Sequence, residues 1–267
     1  MKLGIIGCGT MASAMLGQMM SKGYVAPDEV IASAYHESSR ERIAREFGIA
    51  VTEENTEVAR QADILLIGIK PQDYKDVISA IRDDIDYRTL VITLAVGKSL
   101  AFIEECFGKS VKLVRAIPNT PALVGEGVTG YCANSWVTPE EKARAVELLE
   151  TFGEAIEIQE KDMEVVGAIG GAGPAFVYIM IEALADGAVA EGLKRDLAYR
   201  FASQMVLGSG KMVRDSGRHP GNLKDLVCSP GGTTIEGISL LEERGFRSAL
   251  IQAVRSCVDK SHVLAEK

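Results

Sequence analysis

The chain has 267 residues, 47% hydrophobic and 25% charged, which is ample apolar material for two globular domains and unlike a disordered or fibrous chain. Its formal net charge of −8 argues against nucleic acid or an anionic membrane as the main partner. Five cysteines (Cys8, Cys106, Cys132, Cys228, Cys257) without a C-x-x-C pair, and only three histidines (His36, His219, His262), argue against a disulfide framework and against a metal centre.

The first apolar run, Leu3–Ile6, ends in Gly7-Cys8-Gly9-Thr10-Met11-Ala12, and a helical pattern follows through Ala14, Met15, Gln18 and Met19. Strand, glycine turn and helix in this order form the context of a G-x-G-x-x-A dinucleotide fingerprint. Gly7 permits the turn, Gly9 lets the backbone approach a pyrophosphate, and small Ala12 lets helix and strand pack closely. This setting also explains residues 3–16 better than a secretory leader does. The next strand is Val30–Tyr35. Its tip, Ser33-Ala34-Tyr35-His36, lacks the acid that bonds the ribose 2′-hydroxyl of NAD, although Glu37 follows. Ser33, His36 and Arg40 suit a 2′-phosphate, so NADPH is expected, with NADH as the alternative. Taken singly, His36 and Arg40 also fit an ordinary solvated helix start.

Ile64–Ile67 and Leu90–Leu94 are continuous apolar runs, as in strands buried on both faces, and Val111–Arg115 reads as a further strand. Helical patterns near Glu41–Phe47, Asp73–Ile81 and Leu100–Phe107 lie between them. This alternation predicts a doubly wound parallel α/β sheet. After a strand over Val128–Ala133, Thr138-Pro139-Glu140-Glu141 makes a capping box with Pro at the first helical position, opening a helix to about Phe152. Ala155–Ile158 then alternates like an edge strand.

From Met163 to Lys267 only helical periodicity remains. The chain therefore divides into a dinucleotide-binding (Rossmann) domain, 1–161, and an all-helical domain, 162–267. Ala175–Gly192 is apolar almost all round, including Phe176, Ile179, Met180, Ile181 and Leu184. Such a helix must be covered, and a domain of this size is expected to cover it against a second subunit. Glu182, Asp186 and Glu191 make the segment too polar for a bilayer span, so a soluble, cytoplasmic protein is expected. Farther on, Ser229-Pro230-Gly231-Gly232-Thr233-Thr234 forms a tight turn into a helix. Thr233 is read as its N-cap, with Glu236 completing a capping box. The helix amides, with Ser and Thr hydroxyls beside them, offer a cradle for a carboxylate; an ordinary capped loop is the alternative. Cys8 and Cys228 read as small packing residues rather than nucleophiles.

Over essentially its whole length the chain resembles the pyrroline-5-carboxylate reductases. The resemblance is carried by the N-terminal Gly4–Met11, Gly68-Ile69-Lys70-Pro71 and Arg115-Ala116-Ile117-Pro118-Asn119-Thr120-Pro121. It continues through Gly170–Phe176, Glu182–Gly187, His219-Pro220-Gly221 and Ser229–Thr234. It implies reduction of 1-pyrroline-5-carboxylate to L-proline by NAD(P)H. It also implies that Ile6, Gly7, Cys8, Gly9, Thr10 and Met11 hold the pyrophosphate, with Ser33 and Asn55 on the adenosine side. Gly68, Ile69, Lys70 and Pro71 would line the nicotinamide ribose, with Ala95 at the nicotinamide. Ser229, Gly231, Gly232, Thr233 and Thr234 would surround the substrate, Thr234 orienting the ring nitrogen. The resemblance implies a homodimer or a ring of dimers, and no metal. Some members carry a substrate-contacting Glu before the His-Pro-Gly motif, where this chain has Gly217. The 6-phosphogluconate type of dehydrogenase shares the two-domain plan, but Phe176 stands where its catalytic Lys belongs. A non-catalytic NADP(H)-sensing scaffold would have no use for the Ser229–Thr234 turn.

Overall fold

A computed structural model of the chain describes residues 1–265. It falls into two compact units, residues 1–172 with 257–267, and residues 173–256. The first is built on an eight-stranded sheet: β1 (Leu3–Ile6), β2 (Val30–Ser33), β3 (Ala50–Thr52), β4 (Ile64–Ile67), β5 (Leu90–Thr93), β6 (Lys112–Ile117), β7 (Gly127–Ala133) and β8 (Gly153–Glu157), in the order β3-β2-β1-β4-β5-β6-β7-β8. The helices are α1 (Thr10–Ser21), α2 (Glu37–Phe47), α3 (Asn55–Gln61), α4 (Tyr74–Ile81), α5 (Leu100–Phe107), α6 (Pro139–Glu150) and the single turn α7 (Met163–Val166).

The apolar strand runs are explained by burial on both faces. Leu3, Ile5, Leu66, Ile92 and Val114 join Met15, Leu16 and Met19 of α1, Ile43 of α2 and Leu148 and Leu149 of α6. Ile6, Leu65, Ile67, Val91 and Leu113 join Val58 of α3, Tyr74 and Ile78 of α4 and Ile103 and Phe107 of α5. The strand order turns back at β1, which lies between β2 and β4. At such a switch point the loops beyond the strand ends leave a crevice for a ligand.

The expected strands and helices form, with differences at the margins. The capping box at Thr138 is present, its hydroxyl accepting from Glu141 N–H and Glu141 accepting from Thr138 N–H. The sheet is not purely parallel, as β7 runs antiparallel to β6. The turn through Asn119 to Gly125 returns the chain directly, without the crossover helix a parallel neighbour needs. Strand β3 and helix α3 carry no sequence signal of their own. They are short, and β3 is an edge strand of only three residues.

Residues after β8 are tied to the sheet by a buried cation. Arg115 on β6, its side chain 4% exposed, pairs with Glu160 (3.5 Å) and Glu164 (3.0 Å). Glu160 also accepts from the Leu100 amide at the start of α5 (2.6 Å), and Glu164 accepts from the Ser261 hydroxyl. Asn119, four residues beyond Arg115, donates to Gly170 O (3.0 Å) and accepts from Val128 N–H (2.9 Å). Thus the Arg115–Pro121 motif anchors the segment in which α7 loosens into a π-helical turn over Gly167–Ala172.

The second unit contains α8 (Gly173–Ala190), α9 (Arg195–Ser216), α10 (Pro220–Val227), α11 (Thr233–Glu243) and the start of α12 (Phe246–Ala265). Its buried cluster, among the described residues, is Ala185, Ala198 and Ala202. Large side chains such as Ile179, Phe201, Leu207 and Leu226 are more than half exposed. An apolar surface of this kind marks an association site.

Burial by itself raises the Glu164 carboxyl, but hydrogen bonds from Ser261 and Arg115 outweigh it and hold the group below its ordinary value. A lowered carboxylate contributes stability above its unfolded value, about 4.3, and loses it as pH falls through the folded value. Arg115→Met leaves Glu164 half-buried with the Ser261 hydroxyl as its remaining partner and no cation. The expected cost at pH 7 is about 3 kcal/mol, the low end for a broken buried pair. Urea unfolding across pH should show that deficit shrinking below about pH 4, where protonation relieves the charge.

Candidate active site

The crevice at the switch point is made by the end of β1. Gly7 has φ +84°, and a Cβ there would lie 2.6 Å from Ile69 Cγ2 and 2.9 Å from Gly68 O. Only glycine permits both the conformation and the approach. Gly9 precedes α1 in extended conformation, and no atom lies within 4 Å of where its Cβ would be. The first amides of α1 therefore face open space with no side-chain cap and no acid in the first turn. An uncapped helix N-terminus favours an anion, and these residues fit the pyrophosphate of a dinucleotide. The loop is braced from behind, where Ser13 Oγ and Arg42 Nη2 both donate to Cys8 O (3.3 and 3.4 Å). Burial pushes the Cys8 thiol up, so it packs rather than attacks.

At the tip of β2 the residues themselves carry no acid, but Glu53 reaches Arg40 from outside the strand. Buried Ser33 donates to Asn55 Oδ1 (2.6 Å), which leaves the Asn55 amide as the donor group of the pair. Arg40 Nη1 donates to Ala34 O (3.1 Å) and Tyr35 O (2.9 Å), while Nη2 pairs with Glu53 at 3.3 Å. The guanidinium thus sits at the strand tip, partly neutralised by an acid that the sequence did not point to. Exposed Tyr35 stands edge-on to His36.

The turn Gly68-Ile69-Lys70-Pro71 follows β4 and lies on the glycine loop, Gly68 N–H donating to Ile6 O (2.8 Å). Lys70 is exposed, and Ala95, just past β5, is buried. These residues share the carboxyl end of the sheet with Gly7 and Ser33, as expected. Sequence reasoning missed Tyr74, whose hydroxyl bonds into the strand ends beneath this turn. An aromatic residue in a helical pattern has no signature beyond packing.

In the second unit, Gly232 N–H donates to Ser229 O (3.0 Å), closing the turn, and Gly231 has φ +67°. Gly232, rather than Thr233, is the N-cap of α11, and neither the Thr233 hydroxyl nor Glu236 caps it. The expected capping box is therefore absent. A Cβ at 232 would fall 2.4 Å from Ser229 Oγ and 3.2 Å from Ser229 O, so glycine lets the turn close without moving the serine hydroxyl. The first amides of α11 are consequently left without a side-chain cap. Gly231, Gly232, Thr233, Ile235 and Glu236 line an open cavity of about 350 Å³, and Ser229, Thr233 and Thr234 are exposed at the turn. Cys228 is half-buried. His219 caps α10, its Nδ1 accepting from Gly221 N–H (3.1 Å).

A glycine-turned strand end feeding an uncapped helix, in a largely parallel sheet followed by a helical unit, defines a two-domain dinucleotide-dependent oxidoreductase. Residues 2–97 match the family described as NADP oxidoreductase, coenzyme F420-dependent, and residues 160–264 match pyrroline-5-carboxylate reductase dimerisation. Over 265 residues the chain is 43% identical to pyrroline-5-carboxylate reductase of Escherichia coli strain K12, covering 99% of this chain and 98% of that one. It is 39% identical over 266 residues to the enzyme of Methanosarcina acetivorans, covering 100% and 98%. The solved pyrroline carboxylate reductase of Plasmodium falciparum, with NADP bound, superposes with a TM-score of 0.90 at 32% identity, covering 99% of this chain and 98% of that one. The chain belongs to the pyrroline-5-carboxylate reductase family.

Proposed function

We propose that two clusters in this chain carry the reaction of its family, the NADPH-dependent reduction of 1-pyrroline-5-carboxylate to L-proline, the last step of proline biosynthesis. The observation that carries this reading is the near full-length 43% identity to the Escherichia coli enzyme, joined to an intact Ser229–Thr234 turn. In the dinucleotide-binding domain, residues 1–161, the segment Ile6–Met11 receives the pyrophosphate and Ser33 with Asn55 faces the adenosine side. Gly68, Ile69, Lys70 and Pro71 line the nicotinamide ribose, and Ala95 lies at the nicotinamide. In the helical domain, residues 162–267, Ser229, Gly231, Gly232, Thr233 and Thr234 receive the substrate. The bare amides of α11 suit its carboxylate.

Bound NADPH supplies the hydride. A protonated cyclic imine is already a strong electrophile, so the protein has to orient rather than to provide a covalent nucleophile. The Thr234 hydroxyl bonds the ring nitrogen. A neutral hydroxyl is a poor acid, so this contact fixes orientation first and relays a proton second.

Cofactor choice follows from the β2 tip. With no acid at the tip and Arg40 held beside it, kcat/KM for NADPH is expected to exceed that for NADH by about tenfold or more, worth about 1.4 kcal/mol. Steady-state kinetics with both cofactors check this, and a preference for NADH would refute the assignment.

The protein acts on a small molecule and self-associates through its helical region; we assign it a homodimer, or a ring of dimers, in the cytoplasm, with neither nucleic acid nor membrane as partner. The run Glu160–Ala190 is long and apolar enough to cross a membrane by length and composition, contrary to the expectation from its acids. A second copy of the chain covers such a face equally well. Purification without detergent, followed by light scattering at micromolar concentration, should give a dimer or larger. An active monomer, or a protein soluble only in detergent, would sink this assignment.

For the substrate turn, Thr234→Ala should lower kcat/KM for the imine by about ten- to a hundredfold, the worth of a hydrogen bond to a charged partner. NADPH affinity should hold. Melting temperature should move little, because Thr234 caps nothing in α11. Parental kcat/KM in both Thr234→Ala and Thr234→Val would remove the support for this role.

A further inference from the structure

A buried hydrogen-bond chain runs from Ala95, in one of the two loops assigned to the nicotinamide end of the cofactor, to Ile67, the strand residue that leads into the other. The Ala95 amide donates to Thr93 Oγ1 (3.3 Å). The Thr93 hydroxyl donates to Tyr74 Oη (2.9 Å), and the Tyr74 hydroxyl donates to Ile67 O (2.9 Å). Each hydroxyl donates once, so the chain runs in one direction, from Ala95 to Ile67. Tyr74, Thr93 and Ile67 are fully buried and Ala95 is 1% exposed, so water does not compete for these bonds. Burial pushes the Tyr74 phenol up to about 12, and it keeps its donor proton throughout the working pH range.

The position of the chain matters more than its strength. The β4–β5 ladder ends at the pair Ile67↔Thr93, and beyond that rung Ile67 O accepts one further amide, from Leu94 (3.1 Å). Past this point the chain enters the Gly68–Pro71 turn on one side and the Ala95 segment on the other. Tyr74 comes from the following helix, α4, and its phenol adds a second, side-chain bridge between the strand ends beside the Leu94–Ile67 bond. A phenol placed only for packing needs one partner for its hydroxyl. This one accepts from the end of one strand and donates to the end of the other.

We infer that Tyr74 is a positioning residue for hydride transfer: through Thr93 and Ile67 it sets the spacing of the Gly68–Pro71 turn and Ala95, and so the attitude of the nicotinamide between them. The inference rests on the assignment of those two loops to the nicotinamide.

The test uses the full-length enzyme with Tyr74→Phe, Thr93→Val and the double variant. Three quantities are read besides melting temperature: kcat at saturating NADPH, the fluorescence of bound NADPH, and affinity for 2′-phospho-ADP-ribose, which lacks the nicotinamide. Each single variant should lower kcat by about tenfold and shift the NADPH emission, since small misplacement at the reacting atoms is costly. Fragment affinity should stay within about twofold of the parent, and the double variant should be no worse than the singles, because either cut breaks the same chain. Thr93→Ser, which keeps the hydroxyl, should restore both kcat and emission. Folded variants with parental kcat and emission would overturn the inference while leaving the site assignment standing, as would losses that multiply in the double variant. Equal weakening of NADPH and of the fragment would show that these loops do not face the nicotinamide, and would overturn both. Should Tyr74→Phe fail to fold, Thr93→Val breaks the same chain and carries the test.

Discussion

The architecture depends on a sheet whose inner strands are buried on both faces. Leu3, Ile5 and Leu66 pack against one helical layer while Ile6, Leu65 and Ile67 pack against the other. Strands so buried have no polar side to turn outward, and their backbone groups must pair within the sheet. The carboxyl ends of β1, β2, β4 and β5 are then aligned by the ladder itself. The loops that leave them start from fixed points, and a functional site can be built from short turns rather than from long loops.

Two such turns reuse one piece of chemistry. At Gly9 and again at Gly232 a helix begins without a side chain to satisfy its first amides. An uncapped terminus costs stability, since a good cap is worth about 1 kcal/mol. Both positions instead leave the amides available to an anion, which we propose is a pyrophosphate in one case and a carboxylate in the other. In each, a glycine with positive φ stands two residues or one residue before the cap, Gly7 and Gly231. The chain is turned sharply without a Cβ that would fill the space.

The helical unit follows a different rule. Its buried cluster of three alanines cannot offset the ordering of five helical segments, and its large apolar side chains face outward. Stability must come from a surface that the single chain does not contain, which is what a match to a dimerisation family describes. Arg115 and Asn119 serve the complementary task. They hold residues 160–172 to the sheet through ion pairs and a hydrogen bond, so the segment leading into α8 starts from a defined place.

Much of this was legible in the sequence because it rests on local rules. A glycine at the end of an apolar run, an acid missing from a strand tip, a Thr-Pro-Glu-Glu box and an all-round apolar helix each have one physical cause that acts within a few residues. The alternation of strands and helices was read in the same local way, while the family came from the resemblance carried by motifs such as Arg115–Pro121 and Ser229–Thr234. Tertiary structure decided what depends on partners distant in sequence. The β7 direction was set by the turn beside Asn119, and the three-residue β3 exists because β2 offers it an edge. Gly232 takes the place of Thr233 as the cap of α11, in a turn closed by the bond from Gly232 N–H to Ser229 O. The chain from Ala95 through Thr93 and Tyr74 to Ile67 joins residues up to 28 positions apart, and no pattern of residue types announces it. Local propensity is written residue by residue, whereas the pairing of buried polar groups is settled only when packing brings them together.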